Sequence, residues 1–287
     1  MVEDQRIELR GLNFHYRDWG GQGTPMVLLH GLASTAHIYD LVAPLLAEHF
    51  RVAALDQRGH GESDKPETGY GFGEIGADLL AFLDAMQFAR PVLVGHSWGG
   101  NGVLQFAAAH PDRAGALVMI DGGFIDMQSN PEMTWERTRE QLAPPQLAGM
   151  NVEEFRNRIK KWTGRMWSAE VEQVVLANFE ILPDQTIRPR LSFDRHMQIL
   201  RALWEQRPPE LYPEIRCPVL LLPAETEPTS EGEQRFVARK RVNVQRAEEA
   251  LAQSKTVWFQ NTVHDVPVQR PLELAEAITL FVREEVK

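Results

Sequence analysis

The chain has 287 residues, of which 43% are hydrophobic and 24% charged, and its formal net charge at pH 7 is −10. This length fits one α/β domain with an insertion, or one domain with a small second one, and the hydrophobic share is enough for a large core. The acidic balance argues against a nucleic-acid partner, because phosphate binding needs a concentrated positive surface, and no apolar run reaches the roughly 18 residues of a membrane span.

The N-terminal residues 1–10 are rich in charge and contain no apolar stretch of signal-peptide length, so a cytoplasmic location is expected. Short apolar runs then alternate with amphipathic stretches. The apolar runs predict strands at 26–30, 51–55, 91–94 and 114–120, and helical spacing predicts helices at 36–48, 72–88 and 101–110. Strands that alternate with helices in this way predict a doubly wound, mainly parallel sheet that is covered on both faces.

The alternation stops after Asp121. Residues 122–214 are charged and helix-prone, and such a length is too great for a structureless loop. We interpret this segment as a helical cap between two parts of an α/β core, residues 1–121 and 215–287. We expect its four tryptophans to help line a pocket: Trp135, Trp162, Trp167 and Trp204.

Strand and helix patterns return after the cap. Strands are predicted at 218–222 and 255–259, and helices at 232–252 and 271–283. The single cysteine, Cys217, opens the first of these strands and is interpreted as a small buried hydrophobic residue, so no intrachain disulfide is possible.

The sequence Gly95-His-Ser-Trp-Gly99 matches the pattern G-x-S-x-G. It follows a predicted strand directly and opens a predicted helix, which is the context of a nucleophile elbow. In an elbow the serine occupies a strained turn that exposes its hydroxyl. The pattern therefore predicts Ser97 as a nucleophile rather than an incidental serine in a strand–turn–helix unit.

A serine hydroxyl is a weak nucleophile unless a base removes its proton. In folds with this elbow the chain order is serine, acid, histidine, which leaves three histidines as candidates. His110 precedes Pro111 at a helix end, and His196 lies in the cap. His264 follows the last predicted strand in a short polar loop, and we predict it to be the base.

The acid that orients the histidine is expected just after the strand at 218–222. The loop there, Pro223-Ala-Glu-Thr-Glu-Pro228, offers Glu225 and Glu227 but no aspartate. Asp121, at the end of an earlier strand, is a third candidate. The residues alone do not choose among the three.

The chain resembles the capped α/β-hydrolase superfamily along nearly its whole length. Four motifs support the resemblance: His30-Gly-Leu32, Asp56-Gln-Arg-Gly-His-Gly-Glu-Ser-Asp-Lys-Pro66, Gly95-His-Ser-Trp-Gly-Gly100 and Val263-His-Asp-Val-Pro-Val-Gln-Arg-Pro271. The resemblance implies an eight-stranded sheet and an oxyanion hole formed by the backbone N–H groups of Leu32 and Trp98. It assigns the acid to Glu227, where the family usually has aspartate.

The elbow also resembles the Gly-His-Asp-Trp-Gly of soluble epoxide hydrolases and some dehalogenases, with Ser97 in place of the aspartate. Those enzymes form an alkyl ester on the carboxylate, which serine cannot reproduce. The sequence therefore predicts a carboxylesterase that acts, without cofactor or metal, on a small to medium apolar ester, thioester or lactone. Two alternatives are a carbon–carbon bond hydrolase or lyase with the same triad, and a non-catalytic ligand receptor on a hydrolase scaffold. No oligomeric state is predicted.

Overall fold

The computed structural model describes residues 2–286. Within this range the strands are β1 (Glu3–Leu9), β2 (Leu12–Gly20), β3 (Pro25–Leu29), β4 (Arg51–Leu55), β5 (Val92–His96), β6 (Ala116–Ile120), β7 (Phe179–Ile181), β8 (Ile187–Pro189), β9 (Val219–Leu222), β10 (Ala224–Glu225), β11 (Ser254–Thr256) and β12 (Phe259–Gln260). The α-helices are α1 (Ala43–Leu46), α2 (Phe72–Ala85), α3 (Trp98–Ala109), α4 (Trp135–Leu142), α5 (Val152–Thr163), α6 (Ala169–Leu176), α7 (Phe193–Glu205), α8 (Pro208–Leu211), α9 (Glu231–Ala250), α10 (Val266–Gln269) and α11 (Pro271–Glu285). Short 3-10 helices occupy Ala36–Tyr39, Met127–Ser129, Gly164–Met166 and Tyr212–Glu214.

Eight strands form one sheet in the order β1-β2-β4-β3-β5-β6-β9-β11. The strands from β4 to β11 in this order are parallel, and β1 and β2 form an antiparallel hairpin at one edge. The central strands β5 and β6 are buried at every position, as strands covered on both faces must be. The structure confirms the predicted doubly wound, mainly parallel eight-stranded sheet.

Alternate residues of the central strands pack into two cores. On one face Leu93 and Leu117 meet side chains of α2, α3 and α9. On the other face Val94 and Val118 meet side chains of α1 and α11. The sheet is thus held between two helical layers, and the carboxyl ends of its parallel strands form one edge of the molecule's core.

The predicted helix at 36–48 is wrong in detail. The structure has a 3-10 helix at Ala36–Tyr39 and one turn of α-helix, α1. Pro44 explains the break, because proline is accepted in the first turn of a helix but not in its interior. The strand predicted at 255–259 is also interrupted, and its two parts, β11 and β12, pair with β9 and β10 respectively.

Residues 122–214, called the cap segment below, connect β6 to the strand β9. The segment contains α4 to α8 and the antiparallel hairpin β7–β8. Its own apolar cluster includes Phe155, Ile159 and Ile187. From α7 the segment directs Ile199 and Leu203 onto apolar side chains of the sheet domain.

The expectation that the cap tryptophans line a pocket stays a prediction. Trp162 and Trp167 are 57% and 41% exposed. The Arg201 guanidinium lies over both the Trp135 and the Trp204 ring, at 4.9 and 4.8 Å from the two centroids. Two of the four rings thus lie at the surface, and the other two are partly buried against Arg201.

Among residues 2–286, no helix is long and apolar enough to cross a membrane.

A buried ion pair supports the loop that follows β4. The Asp56 carboxylate accepts hydrogen bonds from His15 Nδ1 at 2.7 Å and from the backbone N–H groups of Ala36 at 2.7 Å and Glu62 at 3.0 Å. Burial opposes ionisation of Asp56, but the hydrogen bond and charge of His15 more than offset it, and its pKa lies well below the usual range. Burial also lowers the pKa of His15, but Asp56 reverses this effect and the net pKa is raised.

We predict that Asp56→Asn lowers the free energy of unfolding by about 3–5 kcal/mol, because it leaves buried donors facing a neutral side chain. In the wild type, the Asp56 contribution is complete above about pH 4 and is lost as the pH falls through the depressed pKa. The His15 contribution is complete below about pH 6.5 and is lost as the pH rises through the raised pKa. Urea denaturation of the wild type at a series of pH values measures both contributions to the free energy of unfolding. Asp112→Asn, at an exposed aspartate, is the control; equal losses in the two variants would contradict the ion-pair account.

Candidate active site

Ser97 occupies a strained turn between β5 and α3. Its backbone angles are φ 55° and ψ −123°, a conformation that non-glycine residues rarely adopt. The turn is fixed on both sides: Ser97 N–H donates to the Ile120 carbonyl at 2.8 Å, and the Ser97 carbonyl accepts from Gly100 N–H at 2.9 Å. The surrounding hydrogen bonds therefore hold the geometry that an elbow requires.

Three glycines let the backbone pack closely around Ser97. A Cβ atom at Gly95 would overlap the Gly99 carbonyl, and one at Gly99 would overlap the carbonyl of Leu29 in β3. A Cβ atom at Gly122 would overlap the carbonyl of Ser97 itself. The first two glycines are those of the sequence pattern, whereas the need for Gly122 is visible only in the structure.

His264 lies in the loop between β12 and α10, with its side chain 49% exposed. Its carbonyl accepts a hydrogen bond from His96 Nε2 at 2.9 Å, and the two imidazole rings are 4.8 Å apart. Burial and the neighbouring His264 lower the pKa of His96 to about 4, so His96 is neutral at neutral pH. Because His96 immediately precedes Ser97, this hydrogen bond ties the histidine loop to the elbow.

The carboxylate that meets His264 is that of Asp121, whose Oδ2 lies 2.6 Å from His264 Nδ1. Asp121 directly follows β6 and is only 2% exposed. Its Oδ1 accepts from the Ala224 N–H at 3.0 Å and from Lys240 Nζ at 2.8 Å. Burial alone raises the pKa of Asp121, but the hydrogen bonds and charges of His264 and Lys240 bring it down to about 2. Asp121 is therefore ionised at neutral pH.

The assignment of the acid to Glu227 is contradicted by this geometry. Glu227 is exposed in the loop after β10. Glu225 is buried but directs both oxygens to the Arg241 guanidinium on α9. No local signal in the sequence separates Asp121 from the two glutamates of the 223–228 loop.

The loop after β3 brings Leu32 to the elbow. A Cβ atom at Gly31 would lie only 3.0 Å from Ser97 Cβ. Ala33, at φ 59°, donates its N–H to His60 Nε2 at 3.3 Å. Burial lowers the pKa of His60 well below its usual value, so a neutral imidazole is available to accept this hydrogen bond.

Leu32 lies in the loop after β3, and Trp98 follows Ser97 directly, so both residues belong to segments next to the elbow. Trp98 is the first residue of α3, and the first N–H groups of a helix have no carbonyl partner within it. Among residues 2–286, Leu32 N–H donates to no other backbone carbonyl in the loops and turns. The role of these two groups as an oxyanion hole stays a prediction.

Apolar side chains surround the elbow. The Trp98 ring packs with two aromatic residues of the sheet domain and with the cap segment: the cluster comprises Tyr70, Phe72, Ile75, Trp98, Leu191, Ile199 and Leu203. Leu32 and Ile125 are partly buried against it. In the part of the chain from 2 to 286, no three His, Cys, Asp or Glu side chains converge as a metal site would require.

Comparison with known proteins identifies the family. The family model described as "alpha/beta hydrolase fold" matches residues 24–215, more than half of the chain, and the protein belongs to this family.

Curated relatives match over shorter stretches. The putative non-heme haloperoxidase of Mycobacterium phage D29 is 42% identical over 102 residues, which are 35% of this chain and 37% of that protein. The 2-(acetamidomethylene)succinate hydrolase of Mesorhizobium japonicum is 33% identical over 117 residues, 41% and 42% of the two chains. The matched region thus spans less than half the length of these relatives.

Among solved structures, the crystal structure of E-2-(acetamidomethylene)succinate hydrolase superposes with a TM-score of 0.75 at 22% identity and covers 99% of this chain and 100% of that chain. This similarity concerns the fold.

The close packing at the elbow should make the stability of the protein sensitive to added side-chain atoms. Gly99→Ala places a methyl group against the carbonyls of Leu29 and His30, which belong to the backbone and cannot move aside. We expect a loss of about 1–3 kcal/mol or more in the free energy of unfolding. The control is Gly102→Ala, four residues before Phe106 in the same helix, where nothing lies within 4 Å of the added atom.

Alanine stabilises an exposed or open helix position relative to glycine by about 1 kcal/mol. Urea denaturation should therefore show opposite signs for Gly99→Ala and Gly102→Ala. A Gly99→Ala variant as stable as the wild type would show that β3 and α3 are not in close contact.

Proposed function

We propose that this protein is a serine hydrolase that cleaves a carboxylic ester, thioester or lactone through an acyl-enzyme on Ser97. The observation that supports it most is the contact between His264 and the buried, ionised Asp121 beside a serine in an elbow conformation. A carboxylate at Nδ1 fixes the tautomer that leaves Nε2 free to accept a proton. The proposal gives Ser97, His264 and Asp121 the roles of nucleophile, base and orienting acid.

In the first half of the reaction, Ser97 Oγ attacks the substrate carbonyl carbon while His264 takes the hydroxyl proton. The N–H groups of Leu32 and Trp98 stabilise the resulting oxyanion, and one such donor is typically worth about 3 kcal/mol. The C–O bond to the leaving alcohol then breaks, and His264 returns the proton to the alcohol. In the second half, His264 takes a proton from the water that attacks the acyl-enzyme, the bond between the acyl carbon and Ser97 Oγ breaks, and His264 returns the proton to Oγ, which releases the acid and free Ser97.

The surroundings of Ser97 favour an apolar acyl group of small to medium size. Trp98 and Phe72 on the sheet domain, with Ile199 and Leu203 on the cap segment, offer an apolar surface. Residues 122–214 are proposed as the cap domain that determines specificity, and residues 1–121 and 215–287 as the two parts of the catalytic core. Pocket residues on loops and insertions vary while the triad chemistry is retained.

Amide cleavage is the second candidate. The relative from Mesorhizobium japonicum bears the name of a hydrolase whose substrate contains an acetamido group. The triad chemistry is the same for an amide, except that His264 must protonate a departing nitrogen. Paired aryl ester and anilide substrates with one acyl group separate the two candidates, and a vinylogous diketone tests for carbon–carbon cleavage.

The test of the proposal is covalent labelling. A fluorophosphonate should add one label, mapped by peptide mass spectrometry to Ser97. The labelling rate should fall as the pH is lowered and His264 becomes protonated, because the base must be neutral. His264→Ala should slow labelling by about 100-fold or more, given the usual 10²–10⁴-fold contribution of a general base.

The matched control is His110→Ala, at the end of α3 with its ring on Phe106, which should label at the wild-type rate. A label outside Ser97, or unchanged labelling in His264→Ala, would refute the assignment.

A further inference from the structure

Lys240 reaches the triad carboxylate from the exposed helix α9. Its Nζ lies 2.8 and 2.9 Å from the two oxygens of Asp121 and 2.8 Å from the Ala224 carbonyl. The Lys240 side chain is 14% exposed, so its ammonium group is largely withdrawn from solvent. Orientation of His264 by Asp121 does not by itself require such a contact.

The lysine changes the charge balance at Asp121. Without it, the single negative charge of the carboxylate would act on His264 alone and would favour the imidazolium form. With it, the same charge is shared between two cationic partners. The imidazolium is then less favoured, and neutral imidazole exists at lower pH.

We infer that Lys240 is a positioning residue that extends the working range of His264 toward acid pH by sharing Asp121 with it. The inference rests on the proposed function, in which His264 must be neutral to accept the Ser97 proton. Lys240 touches neither the nucleophile nor the carbonyl that it would attack; it acts through Asp121.

The other charged groups near His264 do not duplicate this role. His96, on β5, is neutral above about pH 4. Asp265 is the next residue in the same loop, immediately before α10, and as an acidic residue it cannot act as a second cation at Asp121. Glu225 lies on β10 and is compensated by Arg241 of α9.

Arg241 therefore provides a matched control. It is adjacent to Lys240 on the same helix and also neutralises a buried carboxylate, but that carboxylate is Glu225 and not Asp121. A general effect of positive charge on α9 would be common to both positions. An effect transmitted by Asp121 is specific to Lys240.

The experiment is an NMR titration of the His264 ring, assigned with His264→Gln, in the wild type and in Lys240→Met, Lys240→Arg and Arg241→Met. In Lys240→Met the titration midpoint of His264 should rise by about 0.5–1 pH unit. The expected shift is small because His264 is half exposed, so water weakens its interaction with nearby charges. Lys240→Arg should keep the midpoint near the wild-type value, and so should Arg241→Met.

The pH dependence of fluorophosphonate labelling is measured on the same variants. The acid limb of the rate profile should move with the NMR midpoint in Lys240→Met. An unchanged midpoint in Lys240→Met, or an equal rise in Arg241→Met, would overturn the role of Lys240. A midpoint that moves while the labelling profile does not would overturn the proposed role of His264 instead.

Discussion

The hydrogen bond between Asp121 and His264 is the contact on which the rest of the site depends. It joins two residues 143 positions apart in the chain, one at the end of a central strand and the other in the last loop. The buried carboxylate stays ionised only because Ala224 N–H, Lys240 and His264 satisfy it, which offsets the cost of burying a charge. Asp121 thus places the histidine loop next to the elbow, and its hydrogen bond from Ala224 N–H also fixes the start of β10, just after the neighbouring strand β9.

The backbone around this contact is strained. Three non-glycine residues with positive φ lie around the site: Ala33 at 59°, Ser97 at 55° and Asp121 at 41°. Each follows or closely follows a parallel strand, and each is held by hydrogen bonds from neighbouring segments. Strained backbone persists where surrounding structure over-determines it, and the closely packed sheet edge meets that condition. The close approach of β3, β5 and α3 brings the strained segments together and requires glycines at Gly95 and Gly99.

The sheet, the elbow and the histidine loop were predictable because each follows from a local pattern. Buried strands appear in the sequence as apolar runs, and the spacing of Gly95 and Gly99 around a serine indicates a strained turn between a strand and a helix. The acid was not predictable in this way. A carboxylate comes soon after each of two adjacent parallel strands: Asp121 follows β6, and Glu225 lies in β10, just after β9. Only the direction of the side chains decides which one reaches His264, since Glu225 contacts Arg241 and Asp121 contacts His264. The hairpin β1–β2 was missed because its residues 3–20 are polar on one face and half exposed.

The most direct test of this account is the turnover of an aryl ester by Asp121→Asn, beside Glu227→Gln and Glu225→Gln, with folding checked by thermal melts. Asparagine retains the shape of the carboxylate but loses control of the histidine tautomer, a change that lowers turnover by about 10⁴-fold in a serine protease. We expect a loss of at least about 100-fold in Asp121→Asn and much smaller effects in the two glutamate variants. Near-wild-type turnover in Asp121→Asn, with Glu227→Gln inactive, would contradict the central role given to the contact between Asp121 and His264.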